Sequence, residues 1–418
     1  MGRVSADAVP PRETRLPRAV WALGLVSFFA DVSSEMAYPL LPLFLVGVLG
    51  AGRLDLGLVE GAAALLVAVT AAFAGVLSDR SGRRVGLIRW GYGLPVLGKT
   101  LVAVAGAWPV VLGGRLVDRL GKGLRGAPRD ALLAEATPAA LRGRAFGLHR
   151  ALDTAGALVG VLVSALVLWL LTGAARAGDA DAAAIAPGVY RALFAAAAVL
   201  GLASLALTFL VREPQAGRGD PATAKPSALP GLRVPPACRP VVALLTLFAF
   251  ASSSDAFLLS RAGDAGLAAW QVVLLYASYN VAYAALSYPA GALSDRLGRF
   301  GAIGAGWVLH AGVYAGFAFL PERRPWAVWP LMTALGASLA LTDGVGKALV
   351  ADRTTREERA SVLGLLRCTS GVATCAAGLV VGAVWDAAGP APAFSVGAVV
   401  AGLAVALLPL AARQRAPI

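Results

Sequence analysis

Gly75-Val-Leu-Ser-Asp79-Arg80-Ser-Gly82-Arg83-Arg84 returns as Gly291-Ala-Leu-Ser-Asp295-Arg296-Leu-Gly298-Arg299, 216 residues later in a chain of 418. Each copy closes one long apolar segment and opens the next. A repeat spaced at about half the chain predicts two copies of one membrane module. Hydrophobic residues make up 58% of the chain and charged residues 15%, against about 25% charged in a soluble domain. Most of this polypeptide is therefore expected to be solvated by lipid.

Apolar runs of about 20 residues predict twelve spans, near 19–48, 56–78, 85–106, 108–132, 143–172, 189–211, 240–262, 268–294, 301–320, 326–351, 358–387 and 390–412. Residues 212–239 interrupt the pattern with nine Pro and Gly positions and read as a linker. The expected organisation is a six-helix bundle over 1–211, a linker over 212–239 and a second bundle over 240–418. The net charge of +13 does not point to nucleic acid. Arg15, Arg18, Arg83, Arg84, Arg142, Arg144, Arg233, Arg239, Arg353 and Arg356 all fall on one side if the spans alternate. The positive-inside rule then places both termini and the linker in the cytoplasm. The basic start precedes an apolar run too long for a signal peptide, so it reads as a retained first helix.

The repeat extends further. Asp118, Gly121 and Lys122 match Asp343, Gly346 and Lys347, and Gly147 and Arg150 match Gly364 and Arg367. At 100° per residue, Arg115, Asp118, Arg119, Lys122, Arg125 and Arg129 share an arc of about 120° on one helix. A charge near the bilayer centre costs at least about 2.5–3.5 kcal/mol, so this stripe cannot face lipid. Arg125 and Arg129 lie near a helix end and are expected to snorkel. Four of the 37 basic residues are Lys, and Lys99, Lys122 and Lys347 lie within spans. Lysine titrates when buried whereas arginine does not. Two readings stand: titratable cations, or the i, i+4 ion pairs Lys122–Asp118 and Lys347–Asp343.

Asp31 and Glu35 are also i, i+4, beside Ser27, Ser34 and Tyr38, ahead of a Pro39/Pro42 kink. They are the first candidates for a proton site, with neutralisation of the fourth-span cations as the other reading. Asp255 follows Ser252–Ser254 in the equivalent seventh span. Tyr276, Tyr279, Asn280, Tyr283 and Ser287 recur at helical spacing and suggest an aromatic, hydrogen-bonding wall. His149, placed near the boundary, reads as interfacial. Gly121-Lys-Gly123-Leu-Arg-Gly126 fits a dinucleotide pattern but lies in a membrane helix with no preceding strand. Two histidines and three scattered cysteines give no metal spacing and no catalytic triad, so neither an enzyme nor a cofactor is expected.

The paired Gly-x-x-x-Asp-Arg-x-Gly-Arg strings resemble the 2–3 loop motif of the major facilitator superfamily, and residues 116–123, with Arg119, Lys122 and Gly123, resemble its fourth-span Arg-x-x-x-Gly motif. The stretches 118–130 and 144–153 are similar to a bacterial subgroup of efflux permeases. The resemblance implies alternating access, a latch in which Asp79 and Asp295 each pair with basic groups across the bundles, and proton coupling at the fourth span. Gly156-Ala-Leu-Val-Gly160 stands where antiporters of the superfamily carry Gly-Pro, with Val161 in place of the proline.

These readings together predict an all-α membrane protein of twelve transmembrane helices in two pseudo-symmetric bundles, a monomer in the cytoplasmic membrane. The expected function is proton-coupled efflux of an anionic or zwitterionic organic solute. Asp31, Glu35, Arg119 and Lys122 are the proton-coupling candidates, and Arg115, Asp118, Arg150, Asp255, Tyr276, Tyr279, Asn280, Tyr283, Asp343, Lys347 and Arg367 the cavity candidates. Gly75, Asp79, Arg80, Gly82, Arg83, Gly291, Asp295, Arg296, Gly298 and Arg299 form the gating motif. Lipophilic-drug export, solute import and a non-turning-over receptor are the alternatives.

Overall fold

A computed structural model describes residues 16–81, 84–138, 141–172, 186–213, 235–321, 324–354 and 359–412. Twelve helical spans follow in order: α1 (Arg18–Val48), α2 (Arg53–Ser81), α3 (Arg84–Ala103), α4 (Trp108–Glu135), α5 (Arg142–Thr172), α6 (Pro187–Leu207), α7 (Arg239–Asp264), α8 (Ala269–Leu297), α9 (Arg299–Ala318), α10 (Val328–Asp352), α11 (Arg359–Ala388) and α12 (Pro390–Ala412). Among the described residues nine helices are long and apolar enough to cross a membrane by length and composition. The exceptions, α3, α4 and α8, carry Lys99, the arginine stripe with Lys122, and the tyrosines. Helices this polar cannot face lipid on all sides, so each turns its charged or phenolic face towards its neighbours.

Both bundles open on a broken helix. Pro39 removes a backbone donor from α1, and the helix tightens over Tyr38–Leu40 and widens over Phe44–Val48. In α7, Ser252 leaves helical geometry and Ser254 restarts the helix by accepting from Ala256 N at 3.3 Å. At the second motif, Gly298 adopts φ +80° between α8 and α9, a conformation that favours glycine. Its counterpart Gly82, with Arg83, lies outside the described residues, as do the side chains of Asp79, Arg80 and Asp295 and most of the expected 212–239 linker. The latch expected of those two aspartates is therefore not described.

The apolar core decides the state of the molecule. At the end away from the termini one cluster joins both bundles, running from Leu40, Phe44 and Leu56 to Phe257, Tyr276 and Trp385. At the terminal end the core divides in two. Val20, Leu23, Ile88 and Leu132 serve the first bundle, and Val242, Trp307, Leu349 and Leu408 the second. The far end is thus sealed and the terminal end parted. The seal follows α2 and α11, where Gly57 lies against the Gly378 carbonyl and Gly61 against Cys375. Small residues let helices approach closely in lipid, where packing rather than hydrophobicity drives association.

Candidate functional site

The α4 stripe is met by carboxylates from its neighbours. Asp118, buried, takes Lys99 Nζ from α3 at 3.1 Å, Arg119 Nε at 3.6 Å and Arg115 Nη1 at 3.9 Å. Arg115 donates from Nη2 and Nε to one oxygen of Glu60 on α2, at 2.5 and 3.1 Å. Its guanidinium also lies 5.5 Å from the centre of the Tyr38 ring. Charge-assisted bonds of this kind are the strong ones. They leave a cavity of about 20 Å³ among Ser34, Lys99, Arg115 and Asp118, room for water but not for an organic solute.

Two carboxylates of the first bundle reach hydroxyls of the second. Ser254 Oγ donates to Glu60 Oε2 at 3.4 Å, and Tyr276 Oη donates to Glu35 Oε2 at 3.0 Å. The Tyr38 ring packs on Tyr276, centroids 5.3 Å apart, and Tyr276 on Tyr279 at 5.8 Å. Tyr279 lies beside the Asp255 carboxyl, which is within the field of Glu60 and Glu35. Asp31 faces Asp153 of α5, and Lys122 is a cation acting on both Asp31 and Glu35. Asp31, Glu35 and Asp255 are half-buried and Lys122 is exposed. These groups therefore line the space that opens at the terminal end.

Nearer that opening, Tyr283 Oη donates to Asp343 Oδ2 at 3.0 Å, and Lys347 Nζ pairs with Asp343 at 2.9 Å. The Lys347 and Asp343 side chains are 57% and 45% exposed, and Arg150, which reaches Asp153 at 3.4 Å, is 74% exposed. Arg367 is exposed too. Charges so placed between two bundles face water rather than hydrocarbon, so they form a vestibule.

The far end is pinned by one side chain. Arg53 grips Asp264 of α7 with Nη2 at 2.7 and 2.8 Å, hydrogen-bonds Ser260 and lies 4.7 Å from the Trp385 ring centre. Asp386 of α11 accepts the backbone N–H groups of Arg53 and Leu54 at 2.9 and 2.8 Å. It thus caps α2, where an anion is favoured.

Several expectations are corrected. Lys122 does not pair with Asp118, because the i, i+4 carboxylate is taken by Lys99 and by the two arginines; Lys347 does pair with Asp343. Arg125 does not snorkel: it is buried, donates to Gly91 O at 3.0 Å and stacks 4.6 Å from the Tyr92 ring. His149 is buried rather than interfacial, with Nε2 2.8 Å from Ser27 Oγ. Asn280 uses its amide on the Tyr276 carbonyl of its own helix at 2.9 Å. Arg299 is held within the second bundle by Ser294 at 2.7 Å and Asp352 at 3.2 Å, and Arg296 is exposed. Sequence reasoning missed Glu60, Arg53 and Ser254. Glu60 carried a signal all the same, as a carboxylate inside a span that needs a cation.

A sealed far end, a charged vestibule and two bundles related by an internal repeat are the features of a membrane transporter rather than an enzyme. The chain belongs to the Major Facilitator Superfamily, whose model matches residues 23–344 and 256–417. An MFS-type transporter of Methanocaldococcus jannaschii is 30% identical over 396 residues, 93% of this chain and 94% of that protein. The multidrug resistance protein MdtG of Yersinia enterocolitica is 29% identical over 161 residues, 38% of each chain. Among solved structures the nucleoside transporter NupG superposes with a TM-score of 0.74 at 13% identity, over 95% of this chain and 100% of that one. A bacterial homologue of the human lysosomal transporter Spinster, inward-facing and unoccupied, gives 0.72 at 17% over 95% and 97%. At these identities the two structures speak to the fold alone.

Proposed function

We propose that the chain is a proton-coupled exporter of a small zwitterionic organic solute, working as a monomer in the cytoplasmic membrane with both termini inside. One observation carries this reading. Asp31, Glu35 and Lys122 line the terminal-end vestibule while the far end is closed, so protons and solute meet one ionic network from the same side. On this orientation the structure is the inward-open state. Protonation of Glu35 weakens both its attraction to Lys122 and the hydrogen bond it accepts from Tyr276, which links protonation to the fit between bundles. Cations and carboxylates alternate along the vestibule: Lys122 with Asp31 and Glu35, Arg150 with Asp153, Lys347 with Asp343. A zwitterion can satisfy both members of such a pair, whereas a simple anion leaves a carboxylate unmatched. The Tyr38, Tyr276 and Tyr279 rings would hold the organic part.

The test is flux in proteoliposomes under an imposed pH gradient. Asp31→Asn and Glu35→Gln, singly and together, should abolish gradient-driven flux while leaving solute exchange. Gradient-driven flux that survives in the double variant refutes the proton assignment. Export of lipophilic drugs is the second reading, favoured by the MdtG match and by internal pairing of the α4 cations. Stabilisation by lipophilic cations alone would put it first.

A further inference from the structure

Within the first bundle, away from the vestibule, positive charge collects faster than negative. Lys99, Arg115, Arg119 and Arg125 all act on the single carboxylate of Asp118, and Glu60 serves Arg115. Arg125 has no carboxylate within ion-pair distance among the described residues. Between Lys99 and Arg125 lies a second small cavity of about 10 Å³, lined also by Ser33, Ser34, Tyr92 and Ser204, with no acidic residue on its wall.

The protons around this cavity are distributed for an anion. Ser33 and Ser204 have given theirs to the carbonyls of Ala197 and Val26 at 2.6 and 2.7 Å. Ser34 Oγ accepts from Lys99 at 3.3 Å and keeps its own. Lys99 directs one N–H to Asp118 and one to Ser34, leaving a third. Arg125 uses Nη1 on Gly91 O and has further donors. Lys99, Arg125 and Tyr92 are all more than nine-tenths buried, at 6%, 6% and 2% exposure. Lys99 is paired with Asp118, but Arg125 is a buried cation without a carboxylate among the described residues at an acid-free cavity, which is costly unless something neutralises it. The space, about 10 Å³, is that of a single particle about the size of water.

We propose that this cavity binds a small monovalent inorganic anion, with chloride as the probe, between the Lys99 ammonium and the Arg125 guanidinium. The ion neutralises the first bundle where α3 and α4 cross and shields Asp118 from a surplus of cations. The site stands on its own observations and does not depend on the proton-coupling reading.

The experiment compares the thermal stability of the purified full-length protein in sodium chloride, sodium bromide and sodium gluconate at matched ionic strength and pH. Chloride and bromide should raise Tm saturably, by about 5 °C at 100 times the dissociation constant, and gluconate should not. Lys99→Met and Arg125→Met should each lose the chloride dependence. Anomalous diffraction from wild-type crystals grown in bromide supplies a second measurement that does not rely on either variant folding, with a peak expected between the two cations. Equal stability in chloride and gluconate, a rise that does not saturate, or no bromide peak at this cavity overturns the proposal.

Discussion

The hydroxyls of Tyr38 and Ser254, 216 positions apart in the chain, meet at 3.5 Å, and the same interval separates Gly75 from Gly291. They are repeat-equivalent positions at the breaks of α1 and α7, so the pseudo-two-fold axis passes between them. Glu60 and Tyr276 are likewise 216 apart. The Glu60–Ser254 bond and the Tyr38–Tyr276 ring contact are therefore the two copies of one interaction. The repeat was kept in geometry and changed in chemistry: one copy carries a carboxylate and the other a phenol. That asymmetry puts the buried Arg115–Glu60 pair on the first bundle's side of the axis, with no counterpart at Tyr276.

Tyr276→Phe keeps the ring against Tyr38 and removes the donor to Glu35. A hydrogen bond to a charged group contributes about 1.5–3 kcal/mol. The balance between far-end-closed and far-end-open states should shift by at least about tenfold, read by distance measurements between spin labels at the two ends. An unchanged distribution would mean that this bond does not hold the bundles together.

Glu60→Ala strands Arg115 in the core, and breaking a buried pair costs about 3–5 kcal/mol. The variant should melt well below the parent. Glu60→Met combined with Arg115→Met should recover much of the loss, because both charges are then gone. A double variant no more stable than Glu60→Ala would show that Arg115 has an equivalent second partner.

Arg53→Ala removes the pin at the far end. Asp264 is 38% exposed, so solvent screening discounts the pair to about 1 kcal/mol. That still corresponds to about a fivefold change in population. Native Cys375, which lies against Gly61 in the α2–α11 seam, should react faster with a membrane-impermeant maleimide in a Cys238→Ala, Cys368→Ala background. Unaltered labelling would assign closure to the glycine seam alone.

Gly57→Val tests that seam, since a β-carbon there runs into the Gly378 carbonyl. Overpacking costs about 1–3 kcal/mol, and here the strain exists only when the far end is shut. The protein should fold with native helix content yet favour the far-end-open state, with solute flux reduced about tenfold or more. Native flux would show that the helices can slide to accommodate the methyl groups.

The sequence by itself determined the twelve helices, the two-fold repeat and the polarity of α4. Lipid forces apolar runs into helices, and a charge stripe at helical spacing is legible wherever one helix carries it. The break at Tyr38–Leu40 was equally readable, from Pro39. What sequence could not assign was partnership. The i, i+4 rule suggested Lys122 for Asp118, but Asp118 bonds Lys99 across the α3–α4 contact, where Gly98 and Gly114 let the backbones close. Arg125 looked like an end-of-helix snorkel until packing enclosed it with Tyr92. Glu60, Ser254 and Arg53 acquired their roles only when α2 met α7 and α11. Spacing along a helix fixes which residues share a face, but which faces touch depends on how twelve helices pack around one axis, and that was decided by the tertiary structure.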